Sequence, residues 1–89
     1  MLTATITVTN KLGLHARASA KLTQLAAKFP CEITLARGSR GVNAKSIMGV
    51  MMLAAGLGSE VTLTTDGDRE GEAMEAIRAL FADKFGEGE

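Results

Sequence analysis

The sequence predicts an α+β fold, a two-layer open-faced sandwich in which helices cover one face of a single sheet. Three observations carry this. Residues 3–9 alternate between small or β-branched apolar side chains and threonine, the two-residue period of a half-buried strand. Residues 16–29 switch to the 3.6-residue period of an amphipathic helix. The two periods then recur down the chain, giving the order β-α-β-β-α-β-α. With 46% hydrophobic residues in 89, the chain can fill one core, and residues 1–89 are expected to form a single domain.

In the first strand Ala4, Ile6 and Val8 share one face, and Thr3, Thr5, Thr7 and Thr9 share the other. Residues 10–14 form the loop after it. The first helix has an apolar stripe of Ala18, Leu22, Leu25, Ala26 and Phe29, a polar stripe of Arg17, Lys21, Gln24 and Lys28, and Pro30 as its stop signal. Cys31, Ile33 and Leu35 alternate with Glu32, Thr34 and Ala36 in a second strand. Residues 37–41 read as a hairpin turn into a short third strand near Val42 and Asn43. Its two glycines do not make a phosphate-binding loop, because the segment joins two strands rather than a strand and a helix.

Ser46 is placed as the N-cap of a short second helix over residues 47–55, closed by Gly56 and Gly58. Ile47, Met51 and Ala54 mark one stripe, Met48 and Met52 an adjoining one. A helix this short and this apolar cannot hide every face in so small a domain, so part of it is expected to stay exposed as an adaptable methionine surface. Residues 60–65 form a fourth strand with Val61 and Leu63 inward. Residues 69–85 form the last helix, with Ala73, Met74, Ile77, Leu80, Phe81 and Phe85 apolar and acidic residues near its start. The acidic tail, about 86–89, is expected to fray.

Composition excludes several classes. No apolar run approaches the roughly 20 residues of a membrane span, and the N-terminus lacks a signal-peptide pattern, so a cytoplasmic protein without a membrane segment is expected. Cys31 is the only cysteine, which rules out an internal disulfide and suits a reducing compartment. One histidine and one cysteine are too few for a zinc site; neither a metal nor a cofactor is expected. The net charge is zero but unevenly spread: residues 1–45 carry seven basic side chains against Glu32 alone, and residues 46–89 carry three against nine acidic ones. Two solvated surfaces would look like this. So would a phosphate-friendly face that steers acidic partners. A nucleic-acid-binding module using the basic half is the alternative, weakened by the absence of Tyr and Trp on which bases could stack. A small phosphohydrolase is weaker still, because no second general base lies near the histidine in sequence.

The chemistry concentrates in Lys11-Leu12-Gly13-Leu14-His15-Ala16-Arg17. His15 is the only histidine and stands at a strand-to-helix junction. A lone histidine can simply cap a helix or lie idle. Here the unpaired amides of a helix N-terminus, the Arg17 guanidinium and a nucleophilic imidazole meet in one turn, which suits holding a phosphoryl group on a side chain.

These residues carry a resemblance. Gly13-Leu14-His15-Ala16-Arg17 resembles the active-site signature of the HPr family, the histidine-containing phosphocarriers of the bacterial phosphotransferase system. Asn43-Ala44-Lys45-Ser46-Ile47-Met48-Gly49-Val50-Met51 resembles the family's regulatory-serine segment. The two motifs stand at the family's spacing, and the likeness covers essentially the whole chain. One departure is Ala18, where the family usually has proline; alanine keeps the helix but constrains its first turn less.

The resemblance implies a four-stranded antiparallel sheet with three helices on one face and the first two helices close together at the active-site end. It implies that His15 accepts a phosphoryl group at Nδ1 from enzyme I, charged by phosphoenolpyruvate, and passes it to IIA proteins or domains. The chain would then be a carrier and a substrate of phosphotransferases, not an enzyme, and is expected to be a monomer. Arg17 would be the charge partner of the phosphate, with the amides of Ala16 and Arg17 as donors. Ser46 would be a regulatory phosphorylation site for a serine kinase/phosphorylase. Ile47, Met48, Met51 and Met52 would form the partner-binding patch.

Overall fold

The alternating stretches pair into one antiparallel sheet. In the computed structural model, which describes residues 1–87, the strands are β1 (Leu2–Thr7), β2 (Glu32–Arg37), β3 (Arg40–Asn43) and β4 (Glu60–Asp66), in the spatial order β1-β4-β2-β3. The register lines up Ala4, Leu63, Leu35 and Val42 as one row across all four strands. Leu35 and Leu63 are fully buried, so this is the helix-covered face. One residue to either side of that row the side chains turn outward, where Thr5 pairs with Thr62, and Thr3 with Thr64, on the solvent side. This is the expected open-faced sandwich.

Three helices lie on the inner face: α1 (Ala16–Ala26), α2 (Ile47–Met52) and α3 (Glu70–Ala82). Ala18, Leu22 and Ala26 of α1 are fully buried, as are Ala73 and Ile77 of α3, against a core that includes Val8, Val61 and Phe81. No helix of the described residues is long and apolar enough to cross a membrane.

The helices stop earlier than their apolar stripes do. After Ala26 the chain tightens into three-residue bonds, Lys28 N–H to Leu25 O and Phe29 N–H to Ala26 O, because the residue before Pro30 is disfavoured in a helix. α2 ends at Met52 rather than running to residue 55. Side chains take the carbonyls at its end and just past it: Arg40 donates to Met52 O at 2.9 Å, and Arg37 donates to Leu53 O and Ala54 O at 3.1 and 2.9 Å. The chain leaves through Ala54 at φ +51°, so the reversal occurs before the glycines that were expected to make it. The hairpin is also tighter than expected, with Arg37 and Arg40 already in the strands and only Gly38 and Ser39 between them.

The largest correction is at the C-terminus. α3 ends at Ala82, and a single 3₁₀ turn, Lys84–Gly86, comes next with Lys84 and Phe85 in the left-handed region. Phe85 is fully buried, with its ring centroid 4.9 Å from that of Phe81 at 65°. Lys21 Nζ donates to Phe85 O at 2.5 Å. The buried ring anchors the turn and sends the chain back towards α1. Glu87, expected to fray, is therefore held in the structure; Gly88 and Glu89 lie outside the described residues.

Candidate active site

The loop between β1 and α1 is held from three sides. Gly13 has φ +66°, and a Cβ there would lie 2.5 Å from Ala55 O and 2.7 Å from Gly56 Cα. Only glycine allows that approach. Next to it Leu14 is buried and donates its N–H to Ala55 O at 2.9 Å, which ties the loop to the segment leaving α2. From the helix side, the buried Ser19 hydroxyl donates to Leu14 O at 3.0 Å, and Ser19 N–H to His15 O at 2.8 Å. From the strand side, fully buried Asn10 donates through Nδ2 to Gly13 O at 2.8 Å.

His15 comes next as the N-cap of α1, in extended conformation at φ −75° and ψ −177°. Its Nδ1 accepts the Arg17 N–H at 3.3 Å, so the imidazole does what a serine or aspartate cap usually does. Capping and phosphate handling are not alternatives here: capping turns Nδ1 towards the amides of the first turn. On the other side of the ring, Nε2 lies 2.5 Å from Glu87 Oε2, while Asn10 Nδ2 donates to Glu87 Oε1 at 3.1 Å. Reversing the Asn10 amide would set its oxygen against two acceptors, so this orientation is fixed by chemistry.

Burial opposes the Glu87 charge, but the hydrogen bonds from Asn10 and His15 outweigh it, with help from the charges of His15 and Lys21; the carboxyl stays below the usual carboxylate range. Because the folded pKa is lowered, its contribution to stability is present above the ordinary carboxylate pKa. It is lost as pH falls through the lowered one.

Around the imidazole is an open cleft lined by Lys11, Leu12, Ala16, Arg17, Lys21 and Glu87. Arg17 is exposed, and its guanidinium makes no ion pair or hydrogen bond with any described residue. Other basic residues of the N-terminal half are occupied elsewhere: Arg40 on Met52 O of α2, Arg37 on Leu53 O and Ala54 O just past it, and Lys45 on Phe29 O at 2.7 Å. The basic half is thus not one uniform face. Lys11, Arg17 and Lys21 are the part of it that gathers round His15.

Ser46 caps α2, its Oγ accepting the Gly49 N–H at 3.2 Å. Met48 and Met52 are 69% and 59% exposed, Ile47 and Met51 about 40%. Leu12, in the His15 loop, and Leu57, beyond α2, are exposed as well. The Leu14–Ala55 bond brings the C-terminal side of α2 against the His15 loop, while Ser46 stands at the other end of α2, ~9 Å away along its axis.

The family model for the HPr component phosphorylation site of the phosphotransferase system matches residues 2–83. The chain belongs to the HPr family. Phosphocarrier protein HPr of Cupriavidus necator is 65% identical over 89 residues, covering 100% of both chains. Among solved structures, HPr-C-His from Thermoanaerobacter tengcongensis matches with a TM-score of 0.95 at 46% identity, covering 98% of each chain. An HPr dimer from the same organism matches at 0.79, also 46% identical, covering 98% of this chain and 100% of that one.

Within this HPr fold, His15, Ala16 and Arg17 share one cleft, as the sequence suggests. Sequence reasoning misses two participants: Glu87 falls in a tail expected to fray, and Asn10 in a connecting loop. The only sequence signal for either is Phe85, an apolar residue at the end of the last helix, whose burial anchors the chain and turns Glu87 back towards His15.

Proposed function

We propose that this HPr-family phosphocarrier accepts a phosphoryl group on His15 Nδ1 from enzyme I, charged by phosphoenolpyruvate, and delivers it to IIA proteins or domains. The observation that carries the reading is the cap itself. The sole histidine turns Nδ1 towards the Arg17 N–H at the start of α1. The Nδ1 lone pair forms the N–P bond as the donor's bond to phosphorus breaks, and the donor keeps that electron pair. The phosphate oxygens then take over the Arg17 N–H released by Nδ1, with the Ala16 N–H beside it, and the Arg17 guanidinium closes over the charge. Onward transfer reverses the bond changes. The chain supplies no general base and turns over no substrate of its own; it is a carrier, not an enzyme. One chain supplies every group named, so a monomer suffices for the step, and membership of the HPr family supports a cytoplasmic location.

Ile47, Met48, Met51 and Met52 form the docking patch beside the cleft, where Met side chains adapt to more than one partner. Ser46 is the regulatory site for a serine kinase/phosphorylase. Its phosphate would add about two negative charges at the edge of the patch, against partners steered by the basic residues round His15. The nucleic-acid alternative loses ground because Arg37, Arg40 and Lys45 are spent on backbone carbonyls.

The test is incubation with enzyme I and phosphoenolpyruvate, read by intact mass. One added phosphoryl group, labile to acid and stable to alkali, is expected, and His15→Ala should take up none while folding normally. Undiminished acid-labile labelling of His15→Ala would overturn the assignment.

A further inference from the structure

Glu87 reaches His15 through a built path rather than as a loose end. Phe85 is buried against Phe81, and Lys21 holds its carbonyl. Fully buried Asn10 fixes one carboxylate oxygen, and the other faces His15 Nε2. The Glu87 side chain is only 13% exposed.

We propose that Glu87, held by Asn10, is a positioning residue for His15: it accepts the Nε2–H and so fixes the tautomer whose Nδ1 lone pair is available for the phosphoryl group. The inference rests on the phosphocarrier reading for its consequence, but not for its geometry. In a neutral ring only one nitrogen carries a proton. With the proton on Nε2, both sides are satisfied: Nε2–H donates to the carboxylate, and Nδ1 accepts from the Arg17 N–H. With the proton on Nδ1, both sides fail. Nε2 would then set a lone pair against a carboxylate oxygen, and Nδ1–H would face another N–H.

The same contact acts during transfer. As Nδ1 forms its bond to phosphorus, and the donor keeps the electron pair of the bond that breaks, the ring gains positive charge shared with Nε2–H. No proton has to leave. The Glu87 carboxylate lies against that charge and favours the phosphorylated ring. When the N–P bond breaks in onward transfer, the pair returns to Nδ1, and the ring is already in the tautomer needed for the next cycle.

The test compares wild type, Glu87→Gln and Glu87→Ala, all uniformly labelled with nitrogen-15. Long-range proton–nitrogen NMR spectra of the neutral ring read the tautomer directly, and stopped-flow phosphorylation by enzyme I reads the rate. In wild type the Nε2–H form should dominate. Glu87→Gln keeps an acceptor without the charge, so the tautomer should hold while phosphorylation slows slightly. Glu87→Ala should populate both tautomers and slow phosphorylation roughly threefold to tenfold, the scale of one part-exposed charge-assisted hydrogen bond. Thermal unfolding should show a modest loss of stability in Glu87→Ala, since the contacts to Asn10 and His15 go, and the fold should remain native in both variants. Tautomer populations in Glu87→Ala equal to wild type would overturn the proposal, whatever the rate. If wild type takes up no phosphoryl group and Glu87→Ala still mixes the tautomers, the carrier reading falls and the positioning contact stands.

Discussion

The His15 loop and the α2 surface lie side by side, yet they are built in opposite ways. The His15 loop is fixed by hydrogen bonds along the stretch from Gly13 to His15. Gly13 fits where no Cβ can, Leu14 N–H and O are both bonded, and the imidazole has a partner at each nitrogen. α2 is six residues long, contributes only Val50 to the core from within its span, and presents Met48, Met51 and Met52 to solvent. Bond making at phosphorus needs a nucleophile in one orientation. Docking on several partners needs a surface that can change rotamers at little cost. The two segments are neighbours joined through the Leu14–Ala55 bond, so on the proposed function a partner seated on α2 would also be placed at the cleft.

Substitutions can break this contrast, and the largest effect should come from the rigid side. Gly13→Ala puts a Cβ against Ala55 O and Gly56 Cα and keeps φ +66°, so it should cost roughly 2–4 kcal/mol of stability. A lower denaturant midpoint at unchanged slope would show this. Arg17→Ala removes the exposed guanidinium but leaves the cap intact. Phosphoryl transfer should slow at least about tenfold while stability moves by no more than about 0.5 kcal/mol. Equal transfer rates in both directions would make Arg17 a bystander.

Ser46→Asp probes the adaptable side and should have the smallest structural effect, because aspartate is as good a cap as serine. The melting temperature should hold, and phosphorylation of His15 should slow by a few-fold, less than with a true phosphate. Wild-type rates for both Ser46→Asp and enzymatically phosphorylated Ser46 would leave the serine as a cap alone.

Much of this is legible in the chain. The two-residue period of β1 and β4 and the Ala18, Leu22, Ala26 stripe of α1 report burial directly, and burial is what sequence period encodes. Ser46 as a cap can be read from residue type and position. The helix ends are less legible, because they depend on distant partners: Arg40, on the hairpin, takes the Met52 carbonyl at the end of α2, and Arg37 takes the Leu53 and Ala54 carbonyls just past it. Least legible is the back of the active site. Glu87 meets His15 only because Lys84 and Phe85 adopt left-handed backbone conformations, which residue type does not announce outside glycine and asparagine. A carboxylate 72 residues away in the chain cannot be seen from the motif it serves.

The most direct measurement is to locate the phosphate on the imidazole. Protein phosphorylated by enzyme I and phosphoenolpyruvate, labelled with nitrogen-15, shows phosphorus–nitrogen coupling to whichever ring nitrogen carries the group. The expected result is phosphate on His15 Nδ1, with the proton retained on Nε2 beside Glu87. Phosphate on Nε2, the nitrogen covered by Glu87, or on any residue other than His15, would contradict the site as described.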